Sequence, residues 1–287
     1  MSRNKEMVSS YSVSETDLLK VAEKLPTAPR ILVELGQLMR DPHVEAGRVV
    51  KVLRQDPQLV AQIIRMANSV AYAPPEPVGS LERALAFVGF AEVHRLVGVV
   101  AASQLADQKM LLYPVDGPQL RLNTLFVAVL MEELAIPAGE GPRSCYTVGL
   151  LRTIGMMALE RLAPACAEIP PFRTSGETVL DVWEQKHWGL TNVEAAEKIL
   201  LHWRLPAETV TAIRHHYRPA GRHNPIIHLL TLAATAAAER HQAIPGEESY
   251  WKLTPENFTK AGLDQRSFQL ACEKSQRKYE QLKTAAG

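Results

Sequence analysis

The chain has 287 residues, enough for one large domain or two small ones, and an ordinary globular composition with 46% hydrophobic and 22% charged residues. Its formal net charge of +1 gives no electrostatic reason to expect nucleic acid or an anionic membrane surface as a partner. The first thirty residues lack the apolar core of a signal peptide, and no segment is long and apolar enough to span a bilayer. We therefore expect a cytoplasmic protein that binds neither nucleic acid nor a membrane.

The three cysteines are few, odd in number and far apart in the sequence. They match neither a disulfide framework nor a zinc-binding pattern. We expect Cys145, Cys166 and Cys272 to be reduced thiols that contribute mainly to core packing, as is usual in the cytoplasm.

The first third of the chain predicts a compact helical lobe. Residues 1–15 are mostly polar and predict an N-terminal tail, whereas apolar residues recur at helical spacing through residues 16–106. Three helix starts are marked by residues that commonly act as N-caps, namely Ser14, Asp56 and Ser80. The spacing predicts a bundle of five or six helices.

A loop with three prolines and one glycine follows the fourth of these helices, at residues 73–79. Asn68 ends that helix and suits a hydrogen bond at a helix C-terminus or in a loop, and Tyr72 suits packing with a polar tip. With Pro75, they are candidates for a surface that binds a protein partner, although a structural role is the commoner reason for such residues.

The stretch 107–118 is the best candidate for a boundary between this lobe and a second one, at 119–219. Residues 146–162 are nearly all apolar or small, and Arg152 is the only charged residue before Glu160. This pattern predicts one continuous helix, buried on most of its surface, at the centre of the second lobe.

Further helices are predicted after the central one. Thr191 followed by Glu194 has the spacing of a capping box, and the Ala-rich stretch 225–241 is strongly helical. Residues 220–287 are predicted to form a C-terminal helical extension. No segment alternates with period two for long enough to indicate a strand, so the sequence predicts an all-α protein.

Six motifs, in order along residues 18–219, resemble the HDOD family, the HD-related output domains of bacterial signalling proteins. The resemblance implies a two-lobed helical fold whose second lobe is similar to the HD superfamily of metal-dependent phosphohydrolases. Members of the family are generally regarded as lacking that activity and as acting in signalling. The motifs are LPTAPRILVELGQLMRDP, QDPQLVAQIIRMANSVAY, SLERALAFVGFAEVHRLV, GLLRTIGMMAL, GLTNVEAAEKILLHWRLP and AIRHHYRP.

The resemblance also implies a relic metal site in which most ligands have been replaced. The superfamily's metal-binding His-Asp pair falls on Arg152 and Thr153, and a fixed guanidinium charge at that place would repel a cation. Hydrolysis through a metal needs several carboxylate or imidazole ligands. We therefore expect no metal, no cofactor and no catalytic residue. The relic positions are Asn123, Arg152, Thr153, Asn192, His215 and His216.

Arg152 has two alternative roles, because a buried charge needs a partner. The commoner one is a structural salt bridge to a carboxylate on a neighbouring helix, for example that of Glu184 or Glu194. The other is an anion site, in which Arg152, Asn123 and Asn192 line a relic pocket for a nucleotide phosphate.

The paired histidines His215 and His216 end a helix, where the macrodipole favours a protonated ring. The commoner expectation is that one ring faces the core and the other faces water. A rearranged metal site would combine one of them, or His187, with Asp181 or Glu184.

These observations favour a non-enzymatic signalling module that acts through a protein partner, in a pathway such as a cyclic-dinucleotide or chemosensory one. We expect separate chains to supply its input and output. An exposed apolar patch near residues 70–80 or on the C-terminal helices would suit a partner. The alternatives are a metal-dependent phosphohydrolase or phosphodiesterase with altered ligands, and a nucleotide sensor that uses the relic pocket.

Overall fold

The computed structural model describes residues 12–107, 109–163, 169–175, 179–240 and 242–286. These residues contain α-helices and short 3-10 turns but no strand, so the predicted all-α class is confirmed. The helices are α1 (Glu15–Lys24), α2 (Thr27–Leu38), α3 (Ala46–Leu53), α4 (Pro57–Ala67), α5 (Leu81–Val88), α6 (Phe90–Ala106), α7 (Gly117–Ala138), α8 (Pro142–Leu151), α9 (Ile154–Leu162), α10 (Leu180–Trp188), α11 (Asn192–His202), α12 (Ala207–His215), α13 (Pro225–Glu239), α14 (Pro255–Ala261) and α15 (Gln265–Ala286).

The helix starts that the sequence marked are confirmed. The side chains of Ser14, Asp56 and Ser80 each accept a hydrogen bond from a backbone N–H in the first turn of the helix that follows. Thr191 and Glu194 form the predicted reciprocal capping box at the start of α11. These caps satisfy donors that a helix leaves unpaired at its N-terminus.

The prediction of one continuous helix at 146–162 is wrong. The chain forms α8 and α9 instead, separated by a turn at Arg152 and Thr153. Thr153 has φ −93° and ψ 4°, outside the helical region. Both helices are buried on nearly every side, so the apolar pattern runs through the turn without a change of period.

The core is built around α7, which is buried along most of its length and packs against α6, α8, α13 and α15. A single cluster of buried apolar side chains extends from Leu18 in α1 to Ala285 in α15. Helix α1 packs on α9 and α11, so the start of the chain lies against the predicted second lobe. The division into lobes at 16–106 and 119–219 stays a prediction.

The loop between α6 and α7, which falls on the predicted boundary, is attached to α9. Backbone N–H groups of Leu111, Leu112 and Tyr113 donate to the buried carboxylate of Glu160, at 2.5 to 3.4 Å. A loop that donates to a buried carboxylate in this way is fixed in the fold.

The segment before α1 also has a described contact. Residues 1–11 of the predicted tail lie outside the described residues, but the N–H of Val13 donates to the carbonyl of Trp188 at 3.0 Å. Cys145 and Cys272 are buried free thiols as expected, and Cys166 lies outside the described residues. Burial raises the pKa of the Cys145 thiol to about 12.

Within the described ranges, no single helix is long and apolar enough to cross a membrane. Helices α5 and α6 together have a suitable length and composition, but they meet at a bend of 117°.

Close packing of α9 on α11 yields a first prediction, for Gly155→Ala. A Cβ at this position would lie 1.8 Å from the carbonyl oxygen of Asn192, which is backbone and cannot swing away. We expect the free energy of unfolding, measured in urea, to fall by about 3 kcal/mol or more.

Gly47→Ala is the matched control, because Gly47 lies in α3 and a Cβ there would meet nothing within 4 Å. It should leave stability unchanged or raise it by up to ~1 kcal/mol, through better helix propensity. Equal stability of the two variants would contradict the α9–α11 contact.

Candidate functional site

Arg152, at the end of α8, lies at the centre of the positions predicted as a relic site and is almost completely buried. Its Nη1 donates to both carboxylate oxygens of Glu247, at 2.8 and 2.9 Å. Its Nη2 donates to Oδ1 of Asn123 at 2.6 Å. The predicted structural salt bridge is confirmed, but the partners suggested from the sequence are wrong: neither Glu184 nor Glu194 contacts this guanidinium.

Glu247 belongs to the segment between α13 and α14, in the predicted C-terminal extension. Its side chain is 2% exposed, and the hydroxyl of Tyr217 also donates to it, at 2.6 Å. The indole ring of Trp251 lies 5.7 Å from Cζ of Arg152, a cation–π distance. The chain therefore supplies its own anion for the buried arginine.

Helix α7 holds this segment in place through two amide side chains. Asn123 is buried, and its Nδ2 donates to the carbonyl of Gln242 while its Oδ1 accepts from Arg152. One turn earlier, Gln119 donates to the carbonyl of Ala243 at 2.9 Å. Asn123 therefore serves both as a ligand of Arg152 and as an anchor for the segment that carries Glu247.

A second buried carboxylate, that of Glu184 in α10, is bound by Asn192. The backbone N–H and Nδ2 of Asn192 donate to its two oxygens at 2.8 to 3.0 Å, and the hydroxyl of Tyr113 donates at 2.8 Å. Burial raises the pKa of the Glu184 carboxyl to about 7, although these hydrogen bonds act to lower it. Nδ2 of Asn192 also lies 3.5 Å from the hydroxyl of Tyr217, which joins the two carboxylate clusters.

The remaining relic positions contribute less to this network. Thr153 is buried at the turn before α9, and its side chain forms no capping hydrogen bond. His216 faces the core with its Nδ1 2.8 Å from the carbonyl of Ile213. Its ring is tilted against that of Tyr217 and stacks on that of Trp251. His215 is only half-buried.

The chemical state of His216 follows from this position. Burial, and then the positive charge of Arg152, lower the pKa of His216 to about 3, so the ring is neutral at ordinary pH. Among the described residues, no three His, Cys, Asp or Glu side chains lie close enough together to hold a metal ion. The rearranged set with His187 and Asp181 does not converge, and Asp181 pairs with Arg218 instead.

Five residues of the site were missed in the sequence: Glu247, Tyr217, Tyr113, Trp251 and Gln119. Glu247 lies in a loop without periodicity, so nothing in the neighbouring sequence indicates that it is buried. Tyr217 lies inside the AIRHHYRP motif, next to histidines that are more familiar as ligands. The only signal available was the general need of a buried arginine for a carboxylate.

The candidate partner surface is an ordered loop. Nδ2 of Asn68 donates to the carbonyls of Ile64 and Val78, and its Oδ1 accepts from the N–H of Val78. Tyr72 donates to Glu92 in α6. Pro75 is exposed, and Asn68 thus has the loop-closing role that the sequence suggested.

A family model for the HDOD domain matches residues 25–219 of the chain, the range that contains the six motifs. This chain belongs to the HDOD family. The family match ends before Glu247 and Trp251, so the anion that neutralises Arg152 comes from the part of the chain beyond it.

Three solved structures share the fold. A "Putative phosphohydrolase" from Shewanella amazonensis SB2B is 23% identical with a TM-score of 0.66, and the match covers 94% of this chain and 97% of that one. An HDOD domain protein of unknown function from Geobacter sulfurreducens is 19% identical with a TM-score of 0.68, at the same coverage. A "Putative signal transduction protein" from Marinobacter aquaeolei VT8 is 24% identical with a TM-score of 0.66, over 95% of this chain and 65% of that one.

One curated relative, an uncharacterized protein of Treponema pallidum (strain Nichols), is 21% identical over 223 residues. The match covers 75% of this chain and 42% of that protein, so the chain spans less than half of its relative's length.

The buried pair generates a second prediction, tested by a double-mutant cycle. Arg152→Met leaves the Glu247 carboxylate buried without its cation, so the free energy of unfolding should fall by about 3–5 kcal/mol. The double variant Arg152→Met/Glu247→Gln removes both charges and should be more stable than Arg152→Met alone, in denaturant unfolding at pH 7.

The matched control is the ion pair between Arg83 and Glu76, whose side chains are more than half exposed. Arg83→Met should lower the free energy of unfolding by less than ~1 kcal/mol. If the losses of unfolding free energy in Arg152→Met and Glu247→Gln simply add up in the double variant, the two residues do not pair directly.

Proposed function

We propose that this HDOD chain is a non-enzymatic signalling module that acts through a protein partner. The observation that carries the proposal is the buried pair of Arg152 and Glu247, which replaces a metal centre by a neutralised internal contact. Metal-dependent hydrolysis of a phosphodiester needs an ion with an open coordination position for water. Here the position of the His-Asp pair is taken by a guanidinium and a threonine, and the guanidinium is bound on both sides.

The alternative of a nucleotide sensor in the relic pocket has less support. A phosphate that approached Arg152 would have to displace Glu247, which also accepts from Tyr217, and would leave that carboxylate with fewer donors. The cost of leaving a buried charge unpaired opposes such an exchange. A metal-dependent phosphohydrolase would need several metal ligands close together. Among the described residues, no three His, Cys, Asp or Glu side chains lie close enough to hold an ion.

The partner surface that we assign is the loop between α4 and α5. Val70 in this loop is 89% exposed, the highest value among the large exposed hydrophobic residues. The loop is pre-organised by Asn68 and Tyr72, and Ala73 is held at φ 40°, a left-handed conformation unusual for alanine. A rigid loop that presents an apolar side chain loses little conformational entropy when it binds a protein.

Family and charge support a signalling pathway that runs through protein partners. Separate chains would supply input and output, and a cyclic-dinucleotide or chemosensory pathway fits a family of bacterial signalling proteins. The relative from Marinobacter aquaeolei VT8 is described as acting in signal transduction, which agrees with this assignment. A net charge of +1 supports a protein partner over nucleic acid or a membrane.

The proposal predicts protein without stoichiometric metal and without phosphodiesterase turnover. Protein purified without chelator or nickel affinity should contain far less than one iron, manganese or zinc per chain by elemental mass spectrometry. It should not hydrolyse bis(p-nitrophenyl) phosphate when these ions are added. Stoichiometric metal together with turnover that Arg152→Met or His216→Gln abolishes would overturn the non-enzymatic assignment.

The partner surface yields a separate prediction. A photo-crosslinking amino acid placed at Val70 in the native host should give a discrete crosslinked product. The same group at Leu201, which is 56% exposed on α11, should not give that product. Val70→Asp should abolish co-purification of this chain with the protein that is crosslinked at position 70. Identical products from both positions would show that the α4–α5 loop is not the binding surface.

A further inference from the structure

A long groove separates the C-terminal helices. Helices α13 and α15 both pack on α7, and α14 packs on α13, which leaves a space between the α13–α14 pair and α15. The space measures about 1180 Å³. Its lining comes from Glu239 and Arg240, from residues within 253–259 and from residues within 263–276. We call it the C-terminal groove, and it includes neither a relic position nor a residue of the α4–α5 loop.

One wall of the groove is a continuous stripe of α15. Gln265, Gln269, Glu273 and Gln276 all line it, and their spacing of i, i+4, i+8 and i+11 places them on one side of the helix. From the first of these residues to the last, the helix axis advances about 16 Å, or about three turns. The opposite side of α15 packs on α7, so this stripe faces the groove instead of another helix.

Apolar side chains line the groove where α14 approaches α15. The rings of Phe258 and Phe268 meet edge to face with their centroids 5.3 Å apart. Leu253, which precedes α14, also lines the groove and is 41% exposed. The groove therefore combines an apolar strip with polar walls, which is the arrangement that accepts the apolar face of a helix.

Three carboxylates line the groove, those of Glu239, Asp264 and Glu273, and none of them forms an ion pair among the described residues. The cation in the described lining, Arg240, is bound elsewhere. Its Nη1 donates to the carbonyl of Ala236 at 3.0 Å, and its Cζ lies 5.7 Å from the centre of the Phe126 ring. The lining thus carries an excess of negative charge that no neighbouring side chain neutralises.

The other cations of α15 are all kept away from the groove. The helix carries five lysine and arginine side chains, and none of them belongs to the lining: Arg266, Lys274, Arg277, Lys278 and Lys283. The chain as a whole has a net charge of +1, so the negative charge of the groove is a local feature. A surface of this kind attracts and orients a partner of opposite charge.

Size, shape and charge together define the occupant. The volume exceeds the usual range of small-molecule sites, which is about 300–1,000 Å³. The length of the α15 wall matches about three turns of a second helix. Unpaired carboxylates in both walls, Glu239 in α13 and Glu273 in α15, match lysine or arginine side chains on either side of an apolar face.

We propose that the C-terminal groove binds an amphipathic helix of a protein partner, with one apolar face and basic residues beside it. The apolar face packs against Leu253, Phe258 and Phe268, and the basic residues pair with Glu239 and Glu273. This surface is separate from the α4–α5 loop, so either one can bind a partner without the other.

The test is fluorescence anisotropy of a labelled peptide of about 14 residues, titrated with the full chain. The peptide places leucine on one helical face and lysine on the other. We expect saturable binding with a Kd on the order of 10 μM. A peptide with glutamate in place of each lysine should bind at least about tenfold more weakly, because it is repelled by the walls.

A charge reversal tests the acidic wall. Glu273→Lys should weaken binding of the lysine peptide at least about fivefold, since it replaces an attraction by a repulsion. Glu23→Lys is the matched control, because it changes the charge of the chain by the same amount. Glu23 is exposed on α1, outside the groove lining, and its variant should bind the peptide as the original chain does.

Filling the groove tests the shape. Gln269 is exposed in the middle of the α15 wall, and the indole of Gln269→Trp would occupy space that the peptide needs. We expect at least about tenfold weaker binding. Gln281→Trp is the matched control, because Gln281 is exposed on the same helix outside the lining, and it should leave binding unchanged. Circular dichroism of each variant confirms that it is folded.

Four results would overturn the proposal. The first is no saturable binding of the lysine peptide up to about 1 mM, the weak end of specific recognition. The second is equal affinity for the lysine and glutamate peptides. The third is binding that Glu273→Lys and Gln269→Trp both leave unchanged. The fourth is self-association in analytical ultracentrifugation that Gln269→Trp abolishes, which would make a second copy of this chain the occupant.

Val70→Asp distinguishes this surface from the α4–α5 loop. Val70 does not line the C-terminal groove, so the variant should bind the lysine peptide with unchanged affinity. Loss of peptide binding in Val70→Asp would place the peptide at the loop and would contradict binding in the groove.

Discussion

The contact between Arg152 and Glu247 constrains much of the structure around it. A guanidinium buried at the end of α8 is strongly destabilising unless a carboxylate neutralises it. The carboxylate comes from a residue 95 positions later, so the chain after α13 must return to α7 and α8. Gln119 and Asn123 hold that return segment by its backbone carbonyls. The placement of the C-terminal extension is thus tied to one buried charge.

The same constraint organises a packed polar core. Positions that the family resemblance aligns with metal ligands donate and accept hydrogen bonds with their neighbours: Asn123 with Arg152, and Asn192 with Glu184. Tyr217 contacts both clusters, and Tyr113 brings in the loop that precedes α7. Both carboxylates of this network, those of Glu184 and Glu247, have a donor to each oxygen, whereas Nε of Arg152 has no partner among the described residues.

Much of this structure could be predicted from rules that act locally in the sequence. The rest depends on contacts between residues that are far apart in the sequence. Helical spacing gave the class, and cap residues such as Asp56 placed helix starts, because both act within one or two turns. The sequence does not indicate the break at Arg152 and Thr153, because the residues on both sides of it are nearly all apolar or small. Glu247 could not be assigned to Arg152, because any carboxylate can satisfy a buried arginine and only the tertiary fold selects one. The family match ends at residue 219, so it does not include Glu247 and could not identify it as the partner of Arg152.

The buried guanidinium of Arg152 offers little to a ligand. It is already bound on both sides, so a new anion gains only what Glu247 loses. The proposed partner surface is joined to the core by a different carboxylate. Glu92 accepts hydrogen bonds both from Arg95, on the same helix α6, and from Tyr72, in the α4–α5 loop. Arg95 also donates to Glu132 of α7, so the loop is linked through one charged cluster to the helix at the centre of the core.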